Sequence, residues 1–319
     1  MKIVVLDSAC LNPGDLDWSK LKSLGVVDIY EHTASKPDAI LQHCSQDTNA
    51  IITNKVLLGE TVFEKLTQLK LIAVAATGVN SVNLEAAKRR NISVCNVPSY
   101  STPSVAQHTF ALILELMNHV GLHNQSVQNG DWARGWKWSY FKKPLIELAG
   151  KTIGIVGFGN IGKQVAKLAD AFEMKILVNK RSDGGQPLFD CKFVEKEELF
   201  AKSDIVTLHC PLTSENEAFI DANVLNKMKP NAVLINTARG GLINEHDLCH
   251  ALKNNIIGGA GLDVLSTEPP DKNNPLLGLE NCIITPHSAW ASFESRQRCL
   301  NIIVENISAF MNDRPQNLV

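Results

Sequence analysis

A short apolar run, Lys151-Thr152-Ile153-Gly154-Ile155-Val156, passes directly into Gly157-Phe158-Gly159-Asn160-Ile161-Gly162, and no other stretch of the 319 residues restricts the fold as strongly. The run reads as a buried strand. Behind the glycines, Ile161, Val165, Leu168, Ala169 and Phe172 recur at helical spacing and give a helix one apolar face, after which Lys175-Ile176-Leu177-Val178 reads as a second strand. In a strand, glycine turn, helix and strand of this kind, Gly157 makes the tight turn. Gly159 lets a diphosphate approach the backbone, and Gly162 lets helix and strand pack closely. The free N–H groups at the helix start then make an anion site, so a dinucleotide is the expected ligand.

Bulk properties exclude several classes. With 31 basic and 33 acidic residues the formal charge is -2, which provides no general attraction to nucleic acid or anionic lipid, so no nucleic-acid partner is expected. The N-terminal apolar stretch, Ile3-Val4-Val5-Leu6, is too short for a signal peptide, and no apolar run is long enough to span a bilayer. A cytoplasmic protein without membrane partners is expected. Eight cysteines are scattered with no Cys-x-x-Cys pair, which points to reduced thiols and no zinc site.

The length suits two domains. From Met1 to about Pro98, strands are expected at Ile3-Leu6, Val26-Tyr30, Ala50-Thr53, Leu71-Ala75 and Ile92-Cys95, alternating with helical patterns. This half lacks a glycine fingerprint, and Lys55 and Gly78-Val79 follow two of its strands. They have an ordinary reading as a solvated lysine and a turn, and a functional one as a cation and backbone amides for a small anion. Pro98 and Pro103 mark a crossover. Beyond the glycine unit, strands at Ile205-Leu208, Val233-Asn236, Ile257-Leu262 and Ile283-Thr285 make six in all, with Asp221 and Asn244 placed as helix N-caps. The last helical pattern, Ser292 to Met311, is expected to return to the first domain. The reading is therefore α/β: a doubly wound Rossmann domain over residues 100–287, and a flavodoxin-like α/β substrate domain over 1–99 completed by 288–319.

Three strand ends carry polar chemistry: Asn236-Thr237-Ala238-Arg239-Gly240, Asp263 with Glu268-Pro269, and Thr285-Pro286-His287-Ser288. In a doubly wound sheet these ends converge on the cofactor crevice. Arg239 offers a planar fork of donors for a carboxylate, and His287 can give and recover a proton near neutrality. Glu268, if it reaches His287, would favour the charged imidazole. Singly, each residue has a structural explanation; together, at three successive strand ends, they point to one site.

The order and spacing of the glycine motif, His209-Cys210-Pro211-Leu212-Thr213, Asn236-Thr237-Ala238-Arg239-Gly240-Gly241, Leu262-Asp263-Val264 with Glu268-Pro269, and Thr285-Pro286-His287 resemble the D-isomer-specific 2-hydroxyacid dehydrogenases over nearly the whole chain. Ser104-Val105-Ala106-Gln107-His108 and His287-Ser288-Ala289-Trp290-Ala291 look closest to the glycerate dehydrogenase, or hydroxypyruvate reductase, branch. The resemblance implies that a nicotinamide cofactor passes hydride to a small 2-oxo acid, hydroxypyruvate or glyoxylate, giving D-glycerate or glycolate. It gives Arg239, Glu268 and His287 the catalytic roles. Amides near Gly78 and Val79, with Lys55, would hold the substrate, while Asp263 would contact the nicotinamide amide. Gly157 to Gly162, Asn179 to Arg181, His209 to Pro211, Thr237 and Ala238 would line the cofactor. It also implies a homodimer through the coenzyme domain, with Trp138 extending toward the partner's active site. The surrounding Trp132-to-Phe141 aromatic cluster suits either an interface or local packing. Glu268 argues against a formate dehydrogenase, whose pattern has glutamine there.

One departure bears on the cofactor. Where NAD enzymes place Asp or Glu to hold the adenosine ribose, this chain has Asn179-Lys180-Arg181-Ser182. Two cations there would welcome a 2'-phosphate, so NADPH is expected in preference to NADH, with NADH still usable. Rival readings are a dinucleotide-sensing corepressor-like protein, which shares this fold, and a dehydrogenase for a bulkier 2-oxo acid. Metal-dependent hydrolysis is a third; His119 with His123 and His246 with His250 stand four apart, but no third ligand motif accompanies either pair.

Overall fold

The computed structural model describes residues 1–180 and 190–319, which form two compact units: 1–101 with 291–319, and 102–290. The first unit runs β1 (Lys2–Val5), α1 (Ser8–Leu11), α2 (Ser19–Lys22), β2 (Val26–Ile29), α3 (Pro37–His43), β3 (Ala50–Thr53), α4 (Glu60–Lys65), β4 (Leu71–Val74), α5 (Leu84–Arg89) and β5 (Ser93–Cys95). Its five strands are all parallel in the order β2-β1-β3-β4-β5, the flavodoxin-like arrangement. The apolar runs of β3 and β4 are buried at every position, as expected where helices cover both faces of a parallel sheet. Pro37 opens α3, and the Asn83 side chain caps α5 by accepting the Ala86 N–H.

The second unit contains α6 (Thr102–Asn118), α7 (Val120–Gln128), α8 (Asp131–Arg134), β6 (Thr152–Val156), α9 (Asn160–Ala171), β7 (Lys175–Asn179), β8 (Lys192–Phe193), α10 (Lys196–Lys202), β9 (Ile205–Leu208), α11 (Ala222–Leu225), β10 (Val233–Asn236), α12 (Glu245–Lys253), β11 (Gly259–Leu262) and β12 (Cys282–Ile284). The chain then rejoins the first unit as α13 (Phe293–Met311). Asp221 and Asn244 cap α11 and α12 with their side chains.

The second sheet is also parallel and ordered β12-β11-β10-β9-β6-β7-β8. It has seven strands rather than the expected six. The extra one, β8, is a two-residue edge strand, too short to show any periodicity in the sequence. Successive residues of one strand enter different cores: Ile176 and Val178 lie in the core with Phe110, Ile113, Val165 and Ala166, whereas Leu177 lies in the core with Leu199, Phe200, Leu248 and Leu252. That alternation is the period of two of a strand whose two faces are both covered. Because all seven strands run the same way, the residues after β6, β9, β10, β11 and β12 emerge along one edge of the sheet. Chain direction reverses in strand order between β6 and β9, where a crevice opens in folds of this kind. Among the described residues no helix is long and apolar enough to cross a membrane.

Candidate active site

The glycine turn begins directly after β6. Gly157 has φ +95°, the left-handed region that favours glycine, and its N–H donates to the Asn179 carbonyl at the end of β7. A Cβ on Gly162 would stand 2.2 Å from the Gly157 carbonyl oxygen, so α9 approaches the turn as closely as its backbone permits. A Cβ on Gly159, in contrast, would meet nothing within 4 Å. Gly159 is the N-cap of α9 and makes no side-chain cap hydrogen bond to the helix start, which includes Asn160 and Ile161. Open space above a helix N-terminus is the cradle a diphosphate requires, and the residues present fit a dinucleotide.

Around this turn, Asn179 donates its Nδ2 to the Val194 carbonyl (3.0 Å), which ties β7 to the segment after β8. Lys180 Nζ lies 4.0 Å from the centre of the Phe193 ring, and that ring meets Phe158 of the glycine turn edge to face at 5.7 Å. Arg181 and Ser182 lie outside the described residues. His209 follows β9, beside the glycine turn, since a Cβ on Gly157 would meet the backbone of His209 and Cys210. Its Nε2 is buried without a hydrogen-bond partner among the described residues, and burial pushes the imidazole down to about 3, so it is neutral at ordinary pH. A buried, unpartnered ring nitrogen at this edge is a polar group that suits a bound ligand. Pro211 accepts the Asn216 amide through its carbonyl, which shapes the rest of that loop.

The three chemically active residues follow adjacent strands. Arg239 is exposed after β10, its Nη1 donating to the Ala238 carbonyl (2.7 Å). Asn236 braces the loop from inside: its side chain accepts the Ala238 N–H and donates to the Arg239 carbonyl. Thr237 is buried and shares a hydrogen bond with Thr109 of α6 (3.1 Å). A Cβ on Gly240 would fall 1.9 Å from the Leu265 carbonyl carbon, so the Arg239 loop is seated directly on the backbone that leads to Glu268. Glu268 accepts the Leu265 N–H at Oε1 and meets His287 Nδ1 with Oε2 at 2.6 Å. That contact places the proton on Nδ1 and leaves Nε2 as the working nitrogen. His287 itself has φ +51°, held by its N–H to the carbonyls of Asp263 and Thr285 (2.9 Å each).

Asp263, expected at the nicotinamide amide, directly follows β11. It is 2% exposed, and both oxygens are occupied: Oδ1 accepts the Ser288 N–H (2.9 Å) and the Thr285 hydroxyl (2.6 Å), and Oδ2 accepts the Ala289 N–H (2.9 Å). A buried carboxylate is kept where donors such as these satisfy it. His108, whose motif was noted in the sequence but given no role, bonds Thr285 Oγ1 through Nε2 at 2.9 Å. Of the two histidine pairs noted in the sequence, His123 bonds the Lys142 N–H through Nε2 and the His119 carbonyl through Nδ1, while His250 contacts Asn254. No cluster of three or more His, Cys, Asp or Glu side chains that could hold a metal occurs among the described residues.

Lys55, Gly78 and Val79 belong to the first unit, at the corresponding edge of its sheet, after β3 and β4. The Lys55 side chain is exposed, and its loop is organised by a residue the sequence reading passed over. Asp7, 5% exposed at the end of β1, accepts the N–H groups of Asn54 (2.9 Å), Lys55 (2.6 Å) and Val56 (3.3 Å). The available signal was a lone acid directly after the apolar run Ile3-Leu6.

Comparison with known proteins agrees with this geometry. The family model described as D-isomer specific 2-hydroxyacid dehydrogenase, NAD binding domain, matches residues 110–289. A hydroxypyruvate reductase of Blautia hydrogenotrophica is 44% identical over 321 residues, covering 100% of this chain and 99% of the relative. A glycerate dehydrogenase of Methylorubrum extorquens is 41% identical over 294 residues, covering 91% and 90%. Among solved structures, an acyclic imino acid reductase in complex with NADPH and D-arginine superposes with a TM-score of 0.86 at 32% identity, over 100% of both chains. With a parallel seven-stranded dinucleotide fold, a His–Glu pair beside an arginine loop, and relatives matched from end to end, the chain belongs to the D-isomer-specific 2-hydroxyacid dehydrogenases, oxidoreductases that use a nicotinamide cofactor.

Proposed function

We propose that the protein reduces hydroxypyruvate or glyoxylate to D-glycerate or glycolate, with NADPH preferred over NADH. The observation that carries the chemistry is the 2.6 Å contact between His287 Nδ1 and Glu268, one strand away from the arginine loop. When bound, the reduced nicotinamide supplies the hydride that goes to the 2-carbon of the acid. His287 gives its Nε2 proton to the carbonyl oxygen, so the C=O becomes a secondary alcohol with atoms and charge in balance. Glu268 orients the ring and offsets its positive charge before transfer. Arg239 pairs with the substrate carboxylate and polarises the carbonyl; within the first unit, Lys55 and the amides at Gly78 and Val79 are the groups suited to a small anion.

The glycine turn and the start of α9 hold the diphosphate, and the residues from His209 to Pro211, with Thr237 and Ala238, line the rest of the cofactor. Asn179 and Lys180, at and just after the end of β7, are the described residues assigned to the adenosine ribose, and a cation there favours a 2'-phosphate. Likeness to a hydroxypyruvate reductase and a glycerate dehydrogenase over most or all of the chain supports the choice of a small acid.

A homodimer through the second unit accompanies this reading. Trp136 and Trp138 are each 90% exposed and Phe141 73%, a concentration of bare aromatic surface that association would cover. Light scattering should give twice the 34.9 kDa chain mass for the protein and a lower mass for a Trp136→Ser/Trp138→Ser variant.

The enzymatic test is the initial rate of NADPH and NADH oxidation with hydroxypyruvate, glyoxylate and pyruvate, repeated on His287→Ala. A fast NADPH-dependent rate with either of the first two acids, abolished in the variant, is expected. Equal rates with both coenzymes would remove the NADPH preference, and an active His287→Ala would remove the acid.

A further inference from the structure

Helix α6 aims two side chains, one turn apart, at the segment that bears His287. Ser104 donates its hydroxyl to the Ala289 carbonyl at 2.6 Å, and His108 reaches Thr285 Oγ1 at 2.9 Å and comes within 3.5 Å of Asp263 Oδ1. The direction of these bonds follows from valence. A hydroxyl carries one proton and an ionised carboxylate only accepts, so the Thr285 proton is committed to Asp263 at 2.6 Å. His108 is therefore the donor, and its ring holds a proton on Nε2.

Beyond Thr285, Asp263 accepts the N–H groups of Ser288 and Ala289, and its carbonyl accepts that of His287. The His287 backbone is in the left-handed region, which costs a non-glycine residue free energy and persists only where neighbours determine it. We infer that His108 is a positioning residue for the proton transfer: through Thr285 and Asp263 it fixes the 285–289 turn, and with it the direction in which His287 presents Nε2. The inference rests on His287 being the acid, and it adds to the reaction a second histidine that touches neither substrate nor cofactor.

The test compares His108→Leu, His108→Gln, Thr285→Val and the His108→Leu/Thr285→Val double variant in reduction of hydroxypyruvate. Glutamine can place an amide nitrogen near the position of Nε2 and restore the donor. Loss of one part-buried hydrogen bond in the chain should lower kcat about 10-fold in His108→Leu, while His108→Gln recovers most of it and KM for NADPH stays constant. The double variant should cost no more than Thr285→Val alone, because both changes break the same chain. Wild-type kcat in His108→Leu would overturn the inference. So would equal loss in the Leu and Gln variants with a lowered Tm, or full additivity in the double variant. Nitrogen-15 imidazole NMR reads the geometry without turnover: the Nδ1 proton shared with Glu268 should be protected in the wild type and exchange faster in His108→Leu. An inactive wild type showing that difference would sink the proposed reaction and leave the positioning role standing, and unchanged exchange would sink the positioning role.

Discussion

Gly159 and Gly162 are three residues apart in one motif, yet alanine should affect them in opposite ways. A Cβ on Gly162 would lie 2.2 Å from the Gly157 carbonyl oxygen and 3.2 Å from its carbon. Carbon–oxygen contact needs about 3.3 Å, so α9 would have to retreat by about 1 Å from the turn. Overpacking of this kind costs about 1–3 kcal/mol and should lower the Tm of the coenzyme-free protein by about 2–8 °C. At Gly159 the same methyl meets no protein atom within 4 Å, and the backbone at φ -75°, ψ -163° is open to any residue.

The stability change in Gly159→Ala should therefore stay within about 1 kcal/mol, as lost N-cap preference offsets reduced unfolded-state entropy. Its methyl would instead occupy the space a diphosphate enters. Losing one charge-assisted bond to the turn, about 1.5–3 kcal/mol, weakens coenzyme affinity about 10- to 150-fold. Thermal unfolding without coenzyme and titration of NADPH fluorescence separate the two effects. Wild-type NADPH affinity in Gly159→Ala would show that the diphosphate does not sit on this turn. A Tm loss as large as that of Gly162→Ala would refute the argument from open space.

Replacing Glu268 with Gln converts a 2.6 Å charge-assisted contact into a neutral one, at side chains 28% and 33% exposed, so steady-state kinetics should show kcat reduced about 10- to 100-fold with KM for coenzyme unchanged. A KM effect alone would contradict the proton-transfer role. Phe193→Leu removes the ring beneath Lys180; a partly exposed cation–π contact contributes about 0.5–1 kcal/mol, so binding of 2',5'-ADP should weaken about 2- to 5-fold while 5'-AMP binds as before. His209 should make stability depend on pH. Its folded imidazole titrates at about 3 whereas the unfolded one titrates at about 6.5, so as pH falls the unfolded chain takes the proton first. Stability is then lost at up to about 1.4 kcal/mol per pH unit between those values and no further below them. Urea unfolding across that range should show a shallower loss in His209→Asn, and identical slopes would count against a buried neutral ring.

Much of this molecule was legible in one dimension because its sheets are parallel and covered on both faces. Strand segments such as Ile51-Ile52 or Leu234-Ile235 are then apolar on both faces, and helices between them show their own period. Parallel topology carries a second consequence that needs no coordinates: whatever follows a strand emerges at the same edge. Arg239, Asp263 and His287 could therefore be assigned to one edge from their place in the order of elements alone. The glycine motif was readable for a similar local reason, since its turn, helix start and close packing all involve residues within six positions of one another.

What the sequence could not determine was the direction of side chains whose partners lie far along the chain. Asp263 reads as a polar residue at a strand end, and only the folded backbone shows its oxygens turned onto Ser288 and Ala289, 25 and 26 residues away. Asp7 organises the Lys55 loop across 48 residues, and His108 reaches Thr285 across 177. The two-residue β8 owes its strand geometry to pairing with Leu177 and Val178, not to its own pattern. Local sequence determines periodicity and turns because those depend on neighbours a few bonds apart. Which buried donors a carboxylate or imidazole satisfies depends on what tertiary packing brings within 3 Å, and only the folded chain decides that.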